Sequence, residues 1–231
     1  MATTMSKGHT DREFEAELQE IRHRLLRMAG RVEEMITDAV RALVERDPEL
    51  ARRTIEADHK VNRAEVDTDD LCLRVLARRQ PLGSDLRFIT LAFKMVTDLE
   101  RIGDLTVNLC ERAIDLAAEP ELRANVDVER MAQLVRSMVR DAIDAFVAGD
   151  ADKAARVIER DHEIDELYHQ NFRELLRVML ADGTTITRGI HLQSVAKYLE
   201  RMGDHGTNLA EQVVFMIKGK DIRHLGKLDA D

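Results

Sequence analysis

The chain has 231 residues, with 44 acidic side chains against 35 lysines and arginines and a formal net charge of -9. Aromatic residues at 3% and only three prolines argue against an all-β fold, which needs frequent turn residues. The acidic balance argues against nucleic acid as a partner and offers no polybasic patch for anionic lipid.

Met1 to Arg12 is small and polar, without the apolar stretch of a signal peptide, and is expected to be a frayed tail. No apolar run approaches the roughly 20 residues of a membrane helix. Cys72 and Cys110 sit in apolar helical patterns and fit a reduced interior. The expectation is a soluble, cytoplasmic protein with no membrane insertion. Six helices are predicted, at about 11–46, 49–79, 85–118, 127–148, 151–181 and 187–218. Thr10 with Glu13 reads as a capping box opening the first. Asp47 before Pro48 reads as an N-cap with proline at the first helical position. Gly83-Ser84-Asp85 closes one turn and caps the next helix, and Gly149-Asp150 and Asp182-Gly183-Thr184 act similarly.

The chain repeats itself. Leu99-Glu100-Arg101-Ile102-Gly103-Asp104 returns as Leu199-Glu200-Arg201-Met202-Gly203-Asp204, and Asn108-Leu109 as Asn208-Leu209. Asp47, Ile55, Asp58 and His59 return as Asp150, Ile158, Asp161 and His162. The fold class is therefore all-α, two tandem three-helix bundles from an internal duplication, at residues 11–119 and 126–220. Ala118 to Asn125, with Pro120, reads as the hinge between copies. Gly103 and Gly203 inside helices suggest close approach of a neighbouring helix or a ligand.

Glu100, Asp104 and Asn108 are spaced i, i+4, i+8 along one ridge, and Glu200, Asp204 and Asn208 repeat it. Like charges at i, i+4 oppose helix formation by about 0.2–0.5 kcal/mol, so something positive should compensate. The preceding helix offers Asp58, Asn62 and Glu65 on one face in the first copy, and Asp161 and Asp165 in the second. Carboxylates on adjacent helices can hold a hard or borderline cation through oxygen. Iron, manganese, magnesium and calcium all suit such donors, and histidines would admit zinc.

These repeated segments resemble the PhoU family of phosphate-uptake regulators. Arg79-Gln80-Pro81 with Asp85-Leu86-Arg87 looks like the family's R-Q-P-x-x-x-D-L-R, and Lys218 to His224 looks like its closing V-K-G-x-D-x-R-H. The resemblance implies two three-helix bundles and iron or zinc bound by Glu100 with Asp104 and by Glu200 with Asp204. Asp58, Asn62, Asp161 and Asp165 would be the opposing partners. It further implies no catalysis, repression of the phosphate-starvation response through the phosphate ABC transporter ATPase and the phosphate-sensing histidine kinase, and a homodimer. Two rivals stand beside it. Glu56-x-x-His59 and Glu159-x-x-His162, with Glu100 and Glu200, match the ligand set of a ferritin-like di-iron oxidase or ferroxidase. The other is a metal-free helical adaptor.

Overall fold

A computed structural model describes the backbone of residues 5–219 and the side chains of 12–219. Among them are seven α-helices and no strand: α1 (Met5–Glu45), α2 (Pro48–Arg79), α3 (Gly83–Ala118), α4 (Val128–Ala148), α5 (Ala151–Glu159), α6 (Asp161–Ala181) and α7 (Ile186–Lys218). A 3-10 turn at Gly183–Thr185 precedes α7. Helices α1, α2 and α3 form one bundle, and α4, α5 with α6, and α7 form its copy, as the duplication predicts.

The helix ends follow local chemistry. Asp47 accepts from the amides of Glu49 and Leu50, with Pro48 at the first helical position, where its missing N–H costs nothing. Asp150 repeats this with the amides of Asp152 and Lys153, after Gly149 ends α4 at φ 65. Asp182 accepts from Thr184 N. Three expectations are corrected. Helix α1 begins at Met5, so Thr10 lies inside it and does not open it. Gly83 itself starts α3 behind an uncapped Leu82, so Ser84 and Asp85 sit in the first turn, where Asp85 still faces the helix dipole favourably. The helix expected over 151–181 breaks at Arg160. The Arg160 guanidinium turns back onto α4, where Asp141 and Ser137 accept it at 3.0 and 2.6 Å. The matching position in the first copy is Ala57, and α2 runs through unbroken. The tail motif from Lys220 to His224 lies outside the described residues.

The two bundles share one hydrophobic core. Ile21, Leu25, Ile89, Met95 and Leu99 from the first copy join Met131, Met138, Phe146, Val195 and Leu199 from the second. Helix α3 packs along α7, and α1 packs on α4. Phe88 stacks on Phe146 with ring centroids 5.7 Å apart, and the Arg22 guanidinium lies 5.4 and 5.8 Å from the two rings. The α3–α7 seam also carries a buried polar knot. Asp98 on α3 lies 2.9 Å from His205 Nδ1 and accepts from Asn208 at 3.4 Å and Gln212 at 2.5 Å, all on α7. In the repeat, Asp98 corresponds to Tyr198 and His205 to Leu105, so the acid and the imidazole each occur in one copy only.

The connector between copies is pinned. Arg46 donates to the carbonyls of Leu116, Ala117 and Glu119. Arg188 donates to the Pro120 carbonyl, and Glu174 and Asn171 accept from the amides of Asn125 and Asp127. A segment held from both bundles positions the copies, where a hinge was expected.

Candidate metal centres

The central turns of α3 and α7 carry the acidic ridges. Gly103 is one reason α2 can come close: a methyl group there would lie 2.9 Å from Asp58 Oδ1 and 3.4 Å from Val61 Cγ1. Gly203 plays the same part, with Ile164 Cδ1 2.7 Å from such a methyl. The paired glycines thus mark helix crossings.

In the first bundle, the structure brings Asp58, Asn62 and Glu65 of α2 against Glu100 and Asp104 of α3. Asp58 is 7% exposed, and burial raises its pKa, against the amide of Asn62 that donates to its Oδ2 at 2.8 Å; the charge of Asp104 adds to the rise. Glu65 is raised by burial first, then by Asp69 and Asp104, with Arg101 opposing. Glu100 is pushed up to about 7 by desolvation, then by the charges of Asp104 and Glu65. Arg101 offsets only part of this, from 3.6 Å to Glu100 and 3.5 Å to Asp104. Asp58 Oδ1 and Asn62 Oδ1 are buried without any donor. Buried oxygens left unpaired beside crowded carboxylates fit a positively charged guest.

In the second bundle, Asp161 and Asp165 of α6 face Glu200 and Asp204 of α7. Asp204 reaches about 6 through desolvation, then Glu200 and Asp161, although its side chain opens to solvent. Asp161 is raised by burial, opposed by Thr207, which donates to it at 3.1 Å. Glu200 Oε2 is buried and unpaired. Each group's perturbations arise within its own bundle. Among the described residues, no three carboxylates, histidines or cysteines converge into a ready-made chelate, so the donors approach without closing.

Two residues depart from the expected ridges. Asn208 turns to the seam and donates to Asp98. Asn108 is half-buried, and no hydrogen bond ties it to the acidic group. The di-iron constellation is not assembled. Glu56, His59, Glu159 and His162 are all exposed, and Glu159 and His162 straddle the break at Arg160. Cys72 and Cys110 are buried, with their thiols pushed up to about 12 by desolvation, which makes them poor ligands and poor nucleophiles.

The repeat also has a counterpart among known proteins. The PhoU domain matches this chain twice, over residues 25–113 and 128–213, one match per bundle. The chain belongs to the PhoU family. It is 45% identical to the phosphate-specific transport system accessory protein PhoU homolog of Pseudomonas putida, over 94% of this chain and 86% of that protein. The crystal structure of PhoU from Pseudomonas aeruginosa superimposes with a TM-score of 0.87 at 42% identity, covering 90% of this chain and all 100% of the other. The phosphate transport system regulatory protein PhoU from Streptococcus pneumoniae does so with a TM-score of 0.84 at 29% identity, covering 90% and 99%.

In this PhoU chain the two acidic groups are unequal. Lys197 places its ammonium 2.6 Å from Glu200 Oε1 and 5.2 Å from the Tyr168 ring centroid. The repeat puts Thr97 and Glu65 at those two positions in the first bundle. Asp165 in turn stands where the first bundle has Asn62, so each group keeps four carboxylates, and Lys197 gives the second an ammonium at a position where the first has a threonine. Sequence reasoning missed Lys197, Thr207 and Asp69, whose buried Oδ1 is also unpaired. A comparison of the two repeats, residue by residue, held the signal for Lys197.

Proposed function

We propose that this protein is a non-catalytic regulator of phosphate uptake. It would restrain the phosphate-starvation response by docking, as a homodimer, on the ATPase of the phosphate ABC transporter and on its sensor histidine kinase. The observation that carries this reading is the family match in both bundles, together with relatives named as accessory proteins of phosphate-specific transport. Among the described residues, no helix is long and apolar enough to cross a membrane, which suits a protein that meets the transporter from the cytoplasm.

Each bundle would hold a metal ion. Asp58, Asn62, Glu65, Glu100 and Asp104 are the donors in the first, and Asp161, Asp165, Glu200 and Asp204 in the second. The unpaired buried oxygens of Asp58, Asn62 and Glu200 support this assignment. Iron or zinc is the proposed occupant, and magnesium or manganese suits the same oxygens. The bound ion supplies the positive charge that lets these carboxylates stay ionised side by side. Asp58 and Asn62 act from α2, Glu100 and Asp104 from α3, so the donors tie two helices together and stiffen the surface offered to partners.

The regulatory reading is tested by affinity capture of the chain from cells grown with and without phosphate. Recovery of the transporter ATPase and the histidine kinase is expected, and their absence from both captures would refute it. The metal assignment is tested separately, by elemental analysis of Asp104→Ala with Asp204→Ala. Bound metal per chain should fall; unchanged metal would remove the site assignment and leave the regulatory role standing.

A further inference from the structure

The outer groove between α1 and α2 is basic, in a protein of net charge -9. It encloses about 550 Å³ and is lined by Arg24, Arg27 and Arg31 from α1 and by His59, Lys60 and Arg63 from α2. Two carboxylates temper these five permanent cations. Glu20 pairs with Arg24 at 2.7 Å and Arg27 at 3.3 Å, and Asp67 pairs with Arg63 at 3.0 Å. Five cations less two carboxylates leave a local excess of three positive charges. Arg31 donates only to the Lys60 carbonyl, at 3.3 Å, and the Lys60 ammonium has no carboxylate partner among the described residues. The next cavity along the same helix pair is lined by Glu34, Asp38 and Arg53 together with Arg31 and Lys60, so the positive stretch ends at those two cations.

The fold does not require these cations. The duplication places Asp127, Arg130, Leu134, Glu163 and Glu166 where Arg24, Arg27, Arg31, Lys60 and Arg63 stand, so the second copy builds the same helix pair with one cation and three acids. The charge belongs to one copy. Guanidinium groups present planar forks of donors that match phosphoryl oxygens, and several spread along a groove suit an anion with several phosphoryl units better than a single one. No Phe, Tyr or Trp lines the groove, and His59 is its one ring, so it offers a nucleobase far less stacking surface than it offers phosphoryl oxygens cationic donors.

We propose that the α1–α2 groove of the first bundle is a binding site for an inorganic oligophosphate, held by Arg27, Arg31, Lys60 and Arg63. Binding is charge-driven and weakens with salt. The acidic groups of the metal assignment take no part in it.

The test is calorimetric titration of the full chain with tripolyphosphate, orthophosphate and phosphatidylserine vesicles. Tripolyphosphate should bind one per chain, about tenfold or more tighter than orthophosphate. Arg31→Glu with Lys60→Glu should weaken it by about tenfold or more, and the neutral pair Arg31→Gln with Lys60→Gln by less. Arg156→Glu with Arg173→Glu changes the net charge equally on the other bundle and should leave affinity within about twofold. All of these side chains are exposed, so the fold survives, and a melting curve on each variant verifies it. Four results would overturn the proposal: no saturable binding, no preference for tripolyphosphate, equal losses in the two charge-reversed pairs, or vesicles bound where tripolyphosphate is not.

Discussion

Replacing Glu100 by glutamine should strengthen the metal-free protein and weaken the metal-loaded one. The carboxyl moves from 4.5 in the unfolded chain to about 7 in the folded one. At about 1.4 kcal/mol per pH unit, that gap is a destabilisation of roughly 3 kcal/mol once the group is ionised. The side chain keeps 17% exposure, and water recovers part of the cost, so ~2 kcal/mol is the working figure. The direction follows from proton counting. Above the folded value of about 7, both states are ionised and the folded one bears the full cost of desolvation and of its neighbours' charges; as pH falls from 7 towards 4.5, the folded protein takes up a proton that the unfolded chain does not, and the cost fades. Glutamine carries no charge at any of these values. In a chelator at pH 8, Glu100→Gln should melt about 4–8 °C above the parent, and near pH 5 the gap should shrink below about 1 kcal/mol. With metal at a hundredfold excess over Kd, the parent should gain about 2.7 kcal/mol and the variant less. Circular-dichroism melts at the two pH values, with chelator and with added iron(II) or zinc, read all of this. A variant less stable than its parent in chelator at pH 8, or a gap indifferent to pH, would show that burial and neighbouring charge do not destabilise the Glu100 carboxylate.

Further substitutions probe other parts of the molecule. Asp98→Ala strips His205, Asn208 and Gln212 of their shared acceptor; a loss of about 2–4 kcal/mol is expected, with a non-additive cycle against Gln212→Ala measured by urea unfolding. Gly30→Ala, with open space around the new methyl on an exposed helix position, should stabilise by about 0.5–1 kcal/mol, whereas Gly103→Ala presses on Asp58 and Val61 and should cost about 1–3 kcal/mol and reduce bound metal. Lys197→Thr, which copies the first bundle, removes the ammonium beside Glu200 and should raise metal affinity at the second site by about tenfold, read by competition with a metal-sensitive dye.

What the sequence revealed follows from what duplication preserves. Helix periodicity and the second appearance of Leu-Glu-Arg, Gly-Asp and Asn-Leu exposed both bundles and both ridges, because a repeated spacing stands out against a highly charged background. Caps were legible wherever an aspartate precedes a turn, as at Asp47 and Asp150. The start of α1 and the break at Arg160 were not. The periodic pattern runs straight through Arg160, and its tether to Asp141 and Ser137 depends on an earlier helix, α4, folding back alongside it. Asn208 was placed on the ridge by spacing alone, yet the slow rotation of an i, i+4, i+8 row carries it around to the seam. The basic groove was hidden by summation. A net charge of -9 averages over the surface, while Arg24, Arg27, Arg31, Lys60 and Arg63 meet only when α1 lies beside α2.

The polar knot at Asp98 also settles how the halves recognise each other. Two apolar helix faces can slide by a turn and still bury comparable surface. Here such a slip would press a carboxylate into aliphatic side chains and strand its three donors. Because only one copy supplies the acid and only the other the imidazole, the two halves meet as unlike partners. The doubled module thus docks on its own copy as a lock on a different key, with the register marked by one buried carboxyl group and the three side chains that meet it.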